Sequence, residues 1–104
     1  MKQTIDEVAK ILMYTGPSMS ELISSSVKEN KEIDITKQDG STYLSISFET
    51  AYSTKVNDIY VYNCDNELIK QEIEINNKVT VIFDKFKEAS ELLQTHKKSK
   101  LIAS

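Results

Sequence analysis

The chain contains one cysteine, Cys64, and one histidine, His96, residue types that pair as nucleophile and base in cysteine enzymes. A catalytic cysteine needs such a base, or a positive field, beside it to lower the pKa of its thiol. Cys64 lies in a polar turn sequence and His96 lies near the carboxyl terminus, so their positions do not bring them together. One Cys and one His also fall short of the three or four ligands of a zinc site. We therefore interpret Cys64 as a thiol beside a turn, and we predict no catalytic residue, no metal and no cofactor.

Paired acidic side chains are the next groups that could do chemistry, either as acid–base pairs or as calcium ligands. Glu72 and Glu74 share one face of a predicted strand. The lysines that lie near the acidic residues in the sequence are Lys70, Lys78, Lys85 and Lys87. This mixture of charges is typical of a solvated surface. The two glycines, Gly16 and Gly40, cannot form a glycine-rich phosphate loop, so we expect a protein without enzymatic activity. One alternative is an enzyme or small-ligand binder with Cys64 or the carboxylates in a pocket.

The basic residues are all lysines, 13 in number, and they are outnumbered by 16 Asp+Glu. Arginine makes most bidentate contacts to phosphates and guanine edges, and a net charge of -3 opposes binding to nucleic acid. The tail is the exception, since Lys97, Lys98 and Lys100 follow one another closely, although no aromatic residue lies among them for base stacking. We expect no nucleic-acid partner. The alternative is a nucleic-acid-associated regulator that uses the N-terminal helix pair and this lysine tail.

The 104 residues suffice for one compact domain, and 39% hydrophobic with 28% charged residues is the composition of a soluble globular protein. No apolar run approaches the roughly 18 residues of a membrane-spanning helix. The acids Asp6 and Glu7 argue against a secretory signal, and a single cysteine cannot form an intrachain disulfide. These features predict a cytoplasmic protein without a membrane partner.

Two amphipathic helices are predicted at the start of the chain. Each begins with a capping box, in which a hydroxyl residue is followed three positions later by a carboxylate. The residues of these boxes are Thr4 with Glu7, and Ser18 with Glu21. Apolar residues then recur at spacings of three and four, and Gly16-Pro17 separates the two segments. We therefore predict helices near 4–14 and 18–29.

From residue 32 the hydrophobic period changes to two, which is typical of a strand. Asp39-Gly40 predicts a two-residue type I′ hairpin turn, because both positions of such a turn need positive φ. The pairs counted outward from this turn are Ile35 with Leu44, Ile33 with Ile46, Thr36 with Tyr43, and Asp34 with Ser45. One face of the hairpin is then aliphatic and the other polar.

The strand after the hairpin turn is predicted from Thr42 to about Tyr52. The same alternation predicts three more strands, from Asp58 to Asn63, over 68–75 and over 79–83. A two-residue loop at Asn76-Asn77 would place Val79 opposite Glu74. A three-residue loop, extended by the following lysine, places Val79 opposite Ile75. The longer loop keeps the aliphatic residues together, so we prefer it.

After Phe83 the apolar spacing returns to three and four, which predicts a final helix. The chain is therefore expected to have an α+β fold: two N-terminal helices, an antiparallel meander of about five strands, one C-terminal helix, and the helices packed on one face of the sheet. No change in composition divides it, so 1–104 is predicted as a single domain. Residues 96–104 are expected to form a frayed basic tail, although Leu101 and Ile102 could extend the last helix.

The direction of Tyr60 and Tyr62 depends on the turn that follows them. A two- or four-residue loop puts Tyr62 on the same side as Ile73. A three-residue loop at 65–67 instead sets Ile59 opposite Ile73 and leaves both tyrosines on the open side. We prefer the three-residue loop because it unites the aliphatic residues on one face.

An outward-facing group of tyrosines would be a contact surface, since tyrosine is enriched in interfaces. The candidate protein-binding residues are Tyr43, Tyr60, Tyr62, Lys70 and Glu72. We expect a small protein-binding module of the inhibitor, adaptor or immunity type. It would act through this tyrosine-bearing sheet face, or through an edge strand, on another protein or on a second copy of itself.

Overall fold

The structure is a computed structural model that describes residues 2–103, with the side chains of residues 5–95. The described part of the chain contains three helices: α1 (Lys2–Met13), α2 (Met19–Lys28) and α3 (Lys85–Ala103). Its strands are β1 (Glu32–Gln38), β2 (Ser41–Glu49), β3 (Lys55–Tyr62), β4 (Leu68–Ile75) and β5 (Lys78–Asp84). They form one antiparallel meander in the order β1-β2-β3-β4-β5. The predicted α+β fold is confirmed.

The core forms where α2 packs on one face of the sheet, which we call the core face. Its buried cluster consists of Leu44, Ile46, Tyr62 and Leu68. The partly buried residues packed against this cluster are Met19, Leu22, Ile23, Ile33, Tyr60 and Phe83. The apolar residues of α2 are three or four positions apart, so one side of the helix rests on the sheet. Ser18 caps this helix, because its hydroxyl oxygen accepts a hydrogen bond from the Glu21 N–H.

Two hydrogen bonds hold the connection between α1 and α2 on the sheet. The Tyr62 hydroxyl donates a hydrogen bond of 2.7 Å to the Pro17 carbonyl oxygen. The Leu68 N–H donates one of 2.9 Å to the Thr15 carbonyl oxygen. These bonds fix the path by which the chain leaves α1 and enters α2.

The helices α1 and α3 pack on each other, with Val8 and Ala89 buried. α3 directly follows β5, and its first turn is capped by Asp84, whose carboxylate accepts a hydrogen bond from the Lys87 N–H at 3.1 Å. The backbone of α3 is helical to Ala103. The side chains of residues 96–103 lie outside the described part, so the frayed basic tail stays a prediction.

The first hairpin has the register that its turn predicts. Asp39 and Gly40 both have positive φ, 51° and 81°. Ile35 lies opposite Leu44, and Ile33 lies opposite Ile46. The aliphatic side of this hairpin is therefore part of the core face, as expected.

The last hairpin differs from the preferred prediction. Asn76 and Asn77 both have positive φ, 53° and 64°, as a two-residue turn requires. Val79 consequently lies opposite Glu74, so the three-residue loop is wrong and the two-residue alternative is present. The prediction assumed that the aliphatic residues share one face of the sheet. Val79 and Val81 instead lie on the other side of the sheet from Ile75, where they are about half exposed.

Candidate functional site

Tyr60 and Tyr62 point toward the core, so the prediction that they lie on the open side is wrong. Tyr60 lies opposite Leu44 on β2, and Tyr62 is fully buried. Burial, with smaller contributions from nearby groups, raises the pKa of Tyr62 to about 12. The two tyrosines are therefore structural residues of the core face, and only Tyr43 among the predicted tyrosines is exposed.

A bulge in the pairing of β3 with β4 causes this reversal, because moving a three-residue turn by one position shifts the register by two residues and leaves the same faces together. The turn after β3 does have three residues, but they are 64–66, since the Asn63 N–H donates to the Glu67 carbonyl oxygen at 2.9 Å. The Asn63 side-chain oxygen accepts from the N–H groups of Asp65 and Glu67, an Asx turn that could have been read from the sequence. A bulge between Val61 and Tyr62 then shifts the register once more.

The side of the sheet away from α2 is the candidate site, and we call it the open face. Three rows of residues cross it from β1 to β4: Glu32, Ser47, Asn57 and Glu74; Asp34, Ser45, Ile59 and Glu72; and Thr36, Tyr43, Val61 and Lys70. Tyr43, Lys70 and Glu72 thus lie on the face predicted for them. Ile59 and Val61 occupy the places expected for the tyrosines.

A hydroxyl–amide cluster joins the strands β2 and β3 on the open face. The side-chain oxygen of Asn57 accepts hydrogen bonds from Ser45 at 2.6 Å and from Ser47 at 2.9 Å. All three side chains are half-buried. The acceptor is satisfied twice, so the cluster holds its side chains in fixed positions, and the Asn57 amide nitrogen has no partner within it. No local sequence pattern indicates a role for Asn57.

A cleft of about 470 Å³ lies at one end of the open face. Its walls include Glu32 on β1 and Glu74 on β4, with Ser47 and Asn57 between them. The sheet is therefore concave at this end of the open face. Lys55, Phe48 and Val56 also line the cleft, which can receive a polar group of a bound molecule.

The charge of the open face is negative. The three rows carry four carboxylates in two pairs, Glu32 with Asp34 on β1 and Glu72 with Glu74 on β4. The next pair on the same face, Glu49 with Lys55, adds one charge of each sign. Lys70 is the lysine in the three rows, and its ammonium nitrogen lies 3.9 Å from a Glu72 oxygen. A partly exposed pair at this distance contributes little, so the carboxylates dominate the field above the sheet.

A second ionisable group, Asp58, lies on the opposite side of the sheet. It faces Ile46 and Ile73 on the neighbouring strands. Desolvation by burial raises the pKa of Asp58, and the positive charge of Lys31 opposes this in part. Burial also raises the pKa of Tyr60, with a smaller contribution from Asp58. No local sequence pattern indicates this site, because the predicted strand begins at Asp58, whereas β3 begins at Lys55.

The raised pKa of Asp58 predicts a pH-dependent cost in stability. A folded-state pKa above the unfolded one means that the protonated carboxyl favours folding, and that this contribution is lost as pH rises through the folded-state pKa. We expect Asp58→Asn to raise the free energy of unfolding at pH 7. The gain should shrink as pH is lowered toward 3.8, the ordinary pKa of this carboxyl. Urea unfolding of both proteins at several pH values measures this difference in the free energy of unfolding.

The matched control is Asp34→Asn, which removes an exposed carboxylate from the same sheet. Its effect on the free energy of unfolding should be within about 0.5 kcal/mol, as for most surface substitutions. A loss of stability in Asp58→Asn at pH 7 would show that the ionised carboxylate helps the fold instead.

The cysteine and histidine remain separate candidates. Cys64 is exposed in the turn between β3 and β4. The His96 side chain lies outside the described residues, so the structure does not test their pairing. Among the described side chains, no group of three or more His, Cys, Asp and Glu residues could hold a metal ion.

Comparison with known proteins finds no matching family model, curated protein or solved structure. Among the described residues, no helix has the length and apolar character that crossing a membrane requires.

Proposed function

We propose that the chain is a small, non-catalytic protein-binding module that docks a partner protein on its open face. The observation that carries this proposal is the half-buried cluster of Ser45, Ser47 and Asn57, which reaches the cleft at one end of the open face. Polar side chains that are already held in place lose little conformational entropy on binding. Apolar neighbours such as Ile59 supply hydrophobic area from which a docked partner would exclude water.

The size of the face also suits a protein partner. Five strands at about 4.8 Å spacing are about 24 Å wide, and strands of this length extend about 25 Å. This area approaches the roughly 800 Å² that each side buries in a typical specific interface. A small ligand would occupy only the cleft at one end.

The open face is a better docking surface than either edge of the sheet. The edge strand β5 has a register shift opposite Gln71 and Glu72, and such a bulge twists an edge away from further strand pairing. The other edge, β1, carries Asp34 and Lys37, and charged residues also discourage pairing. We therefore assign the partner to the face.

Ser47→Arg tests the proposal, because it places a long charged side chain in the cleft. We expect it to weaken binding of the natural partner by about tenfold or more, which corresponds to about 1.4 kcal/mol. The partner is first identified by affinity purification from the native cell. Titration calorimetry with the purified partner then gives the affinity of each variant.

The control is Ser24→Arg, which makes the same chemical change at an exposed position of α2. It should bind the partner as the wild type does. Equal loss of binding in both variants, or no loss in Ser47→Arg, would remove the open face as the docking site.

A further inference from the structure

We propose that the open face receives a basic amphipathic helix of the partner, lying along the strands between two acidic ridges. This inference rests on the proposed function. The β1 ridge is Glu32 with Asp34, and the β4 ridge is Glu72 with Glu74. Three features indicate a basic helix as the occupant: the spacing of the two ridges, the surface between them, which we call the floor, and the charge that the ridges carry.

The distance between the ridges fits one helix. The β1 ridge and the β4 ridge are separated by three strand intervals, since Glu32, Ser47, Asn57 and Glu74 lie in one row. At about 4.8 Å per interval this makes about 14 Å. An α-helix with its side chains is about 10–12 Å in diameter, so one helix fills the space and a second does not enter.

The spacing along each ridge fits the repeat of a helix. The two carboxylates of a ridge are two residues apart on one strand, which is about 6.7 Å. Residues four apart on a helix are separated by about 6 Å along its axis. Two lysines or arginines at this spacing can therefore face the two carboxylates of one ridge, and a second pair on the other flank can face the other ridge.

The floor between the ridges would contact the side of the helix that faces the sheet. Ile59 lies between Asp34 and Glu72 in its row, with Ser45 beside it. The next row adds Tyr43 and Val61. Val61 is already buried, so a helix with a narrow apolar stripe would bury that stripe on Ile59 and Tyr43, while its basic flanks remain at the ridges where water is still accessible.

Charge complementarity is the reason that the partner must be basic. The four carboxylates of the ridges outnumber Lys70 and Lys55 on the face, and Glu49 lies opposite Lys55, so the face would repel an acidic segment and attract a lysine-rich one. Such an attraction depends on salt, because exposed charges are screened over about 8–10 Å at ordinary ionic strength.

The probe for this inference is a fluorescently labelled amphipathic peptide of about five helical turns, made of leucine and lysine. A second peptide has the same composition in an order that destroys the apolar stripe. Fluorescence anisotropy at low and at physiological salt gives both affinities. We expect the ordered peptide to bind at least about fivefold more tightly than the scrambled one, and to weaken as salt is added.

The variants remove one ridge at a time: Glu32→Gln with Asp34→Asn, and Glu72→Gln with Glu74→Gln. Each should weaken binding of the ordered peptide by about five- to tenfold, which is the effect of about 1–1.4 kcal/mol. The control, Asp6→Asn with Glu7→Gln, makes the same change in net charge on the exposed surface of α1. It should change the affinity by less than about twofold.

Three results would overturn the inference: no binding of the ordered peptide, equal binding of the scrambled one, or an equal loss in the α1 control. A dimer of the pure protein that light scattering shows to dissociate in the ridge variants would assign the face to a second copy instead. If the natural partner is lost in Ser47→Arg but keeps its affinity for both ridge variants, the basic helix is wrong while the docking face stands.

Discussion

We expect Leu44→Ala to lower the free energy of unfolding by about 3 kcal/mol. Leu44 has no exposed surface and lies at the centre of the core cluster, where β2 meets α2. Removing most of its side chain gives up the free energy of burying these methyl groups and leaves a cavity. Its neighbours Ile46 and Tyr62 are themselves buried and cannot close that cavity fully.

Chemical denaturation followed by far-UV circular dichroism measures this loss. Leu93→Ala is the control, because it makes the same change on α3 at a side chain that is 40% exposed. We expect it to cost about 1 kcal/mol or less. If both variants lost the same free energy, Leu44 would not lie in the enclosed core that is described above.

The second large effect is expected for Gly16→Ala, at the connection between α1 and α2. Gly16 has a φ of +71°, a conformation that costs an L-residue about 1–2 kcal/mol. A Cβ added there would lie 2.6 Å from the Cβ of Leu68 and 2.7 Å from its Cδ2, which requires the chain to move. Overpacking of this kind adds about 1–3 kcal/mol, so we expect a total loss of about 3 kcal/mol.

Gly40→Ala separates the two causes of this loss. Gly40 also has a positive φ, +81°, but nothing lies within 4 Å of the position that its Cβ would take. We expect Gly40→Ala to lose only about 1 kcal/mol, the cost of the backbone conformation. The difference in free energy of unfolding between the two variants measures the overlap with Leu68, and a difference near zero would contradict the close packing of this connection.

The elements of the fold could be predicted where a local signal was strong. Ser18 and the residues that follow it predicted α2, and Asp39-Gly40 predicted the first hairpin with its register. These signals are local because a cap or a tight turn is decided by a few neighbouring residues. The boundaries were less certain: β2 ends at Glu49 rather than near Tyr52, since the Thr50 side chain accepts hydrogen bonds that begin a turn.

The registers of the last three strands could not be predicted in the same way. The expectation that aliphatic residues share one face failed because β3 and β5 carry apolar residues on both faces. Ile59 lies on the open face, whereas Tyr60 faces the core opposite Leu44. A one-residue change of register exchanges the faces that lie together, so the single bulge between Val61 and Tyr62 reversed the positions of both tyrosines.

Only part of the candidate site could be predicted, because the site also depends on the registers of the strands. Tyr43 was placed correctly because its register depends on the Asp39-Gly40 turn. Asn57 was missed, since its two serine partners lie 10 and 12 residues away and no local pattern joins them. The two acidic ridges come together only when β1 and β4 lie in the same sheet.

The sequence by itself determined the α+β fold, the order of the elements, the first hairpin and the acidic balance of the chain. Each of these follows from composition or from the spacing of neighbouring residues. Only the tertiary structure decided that Tyr62 belongs to the core, where its hydroxyl donates to the Pro17 carbonyl oxygen, and that Ile59 faces outward. The physical reason is that the bulge beside Val61 and the packing of α2 choose the face of β3, and both depend on contacts between distant parts of the chain.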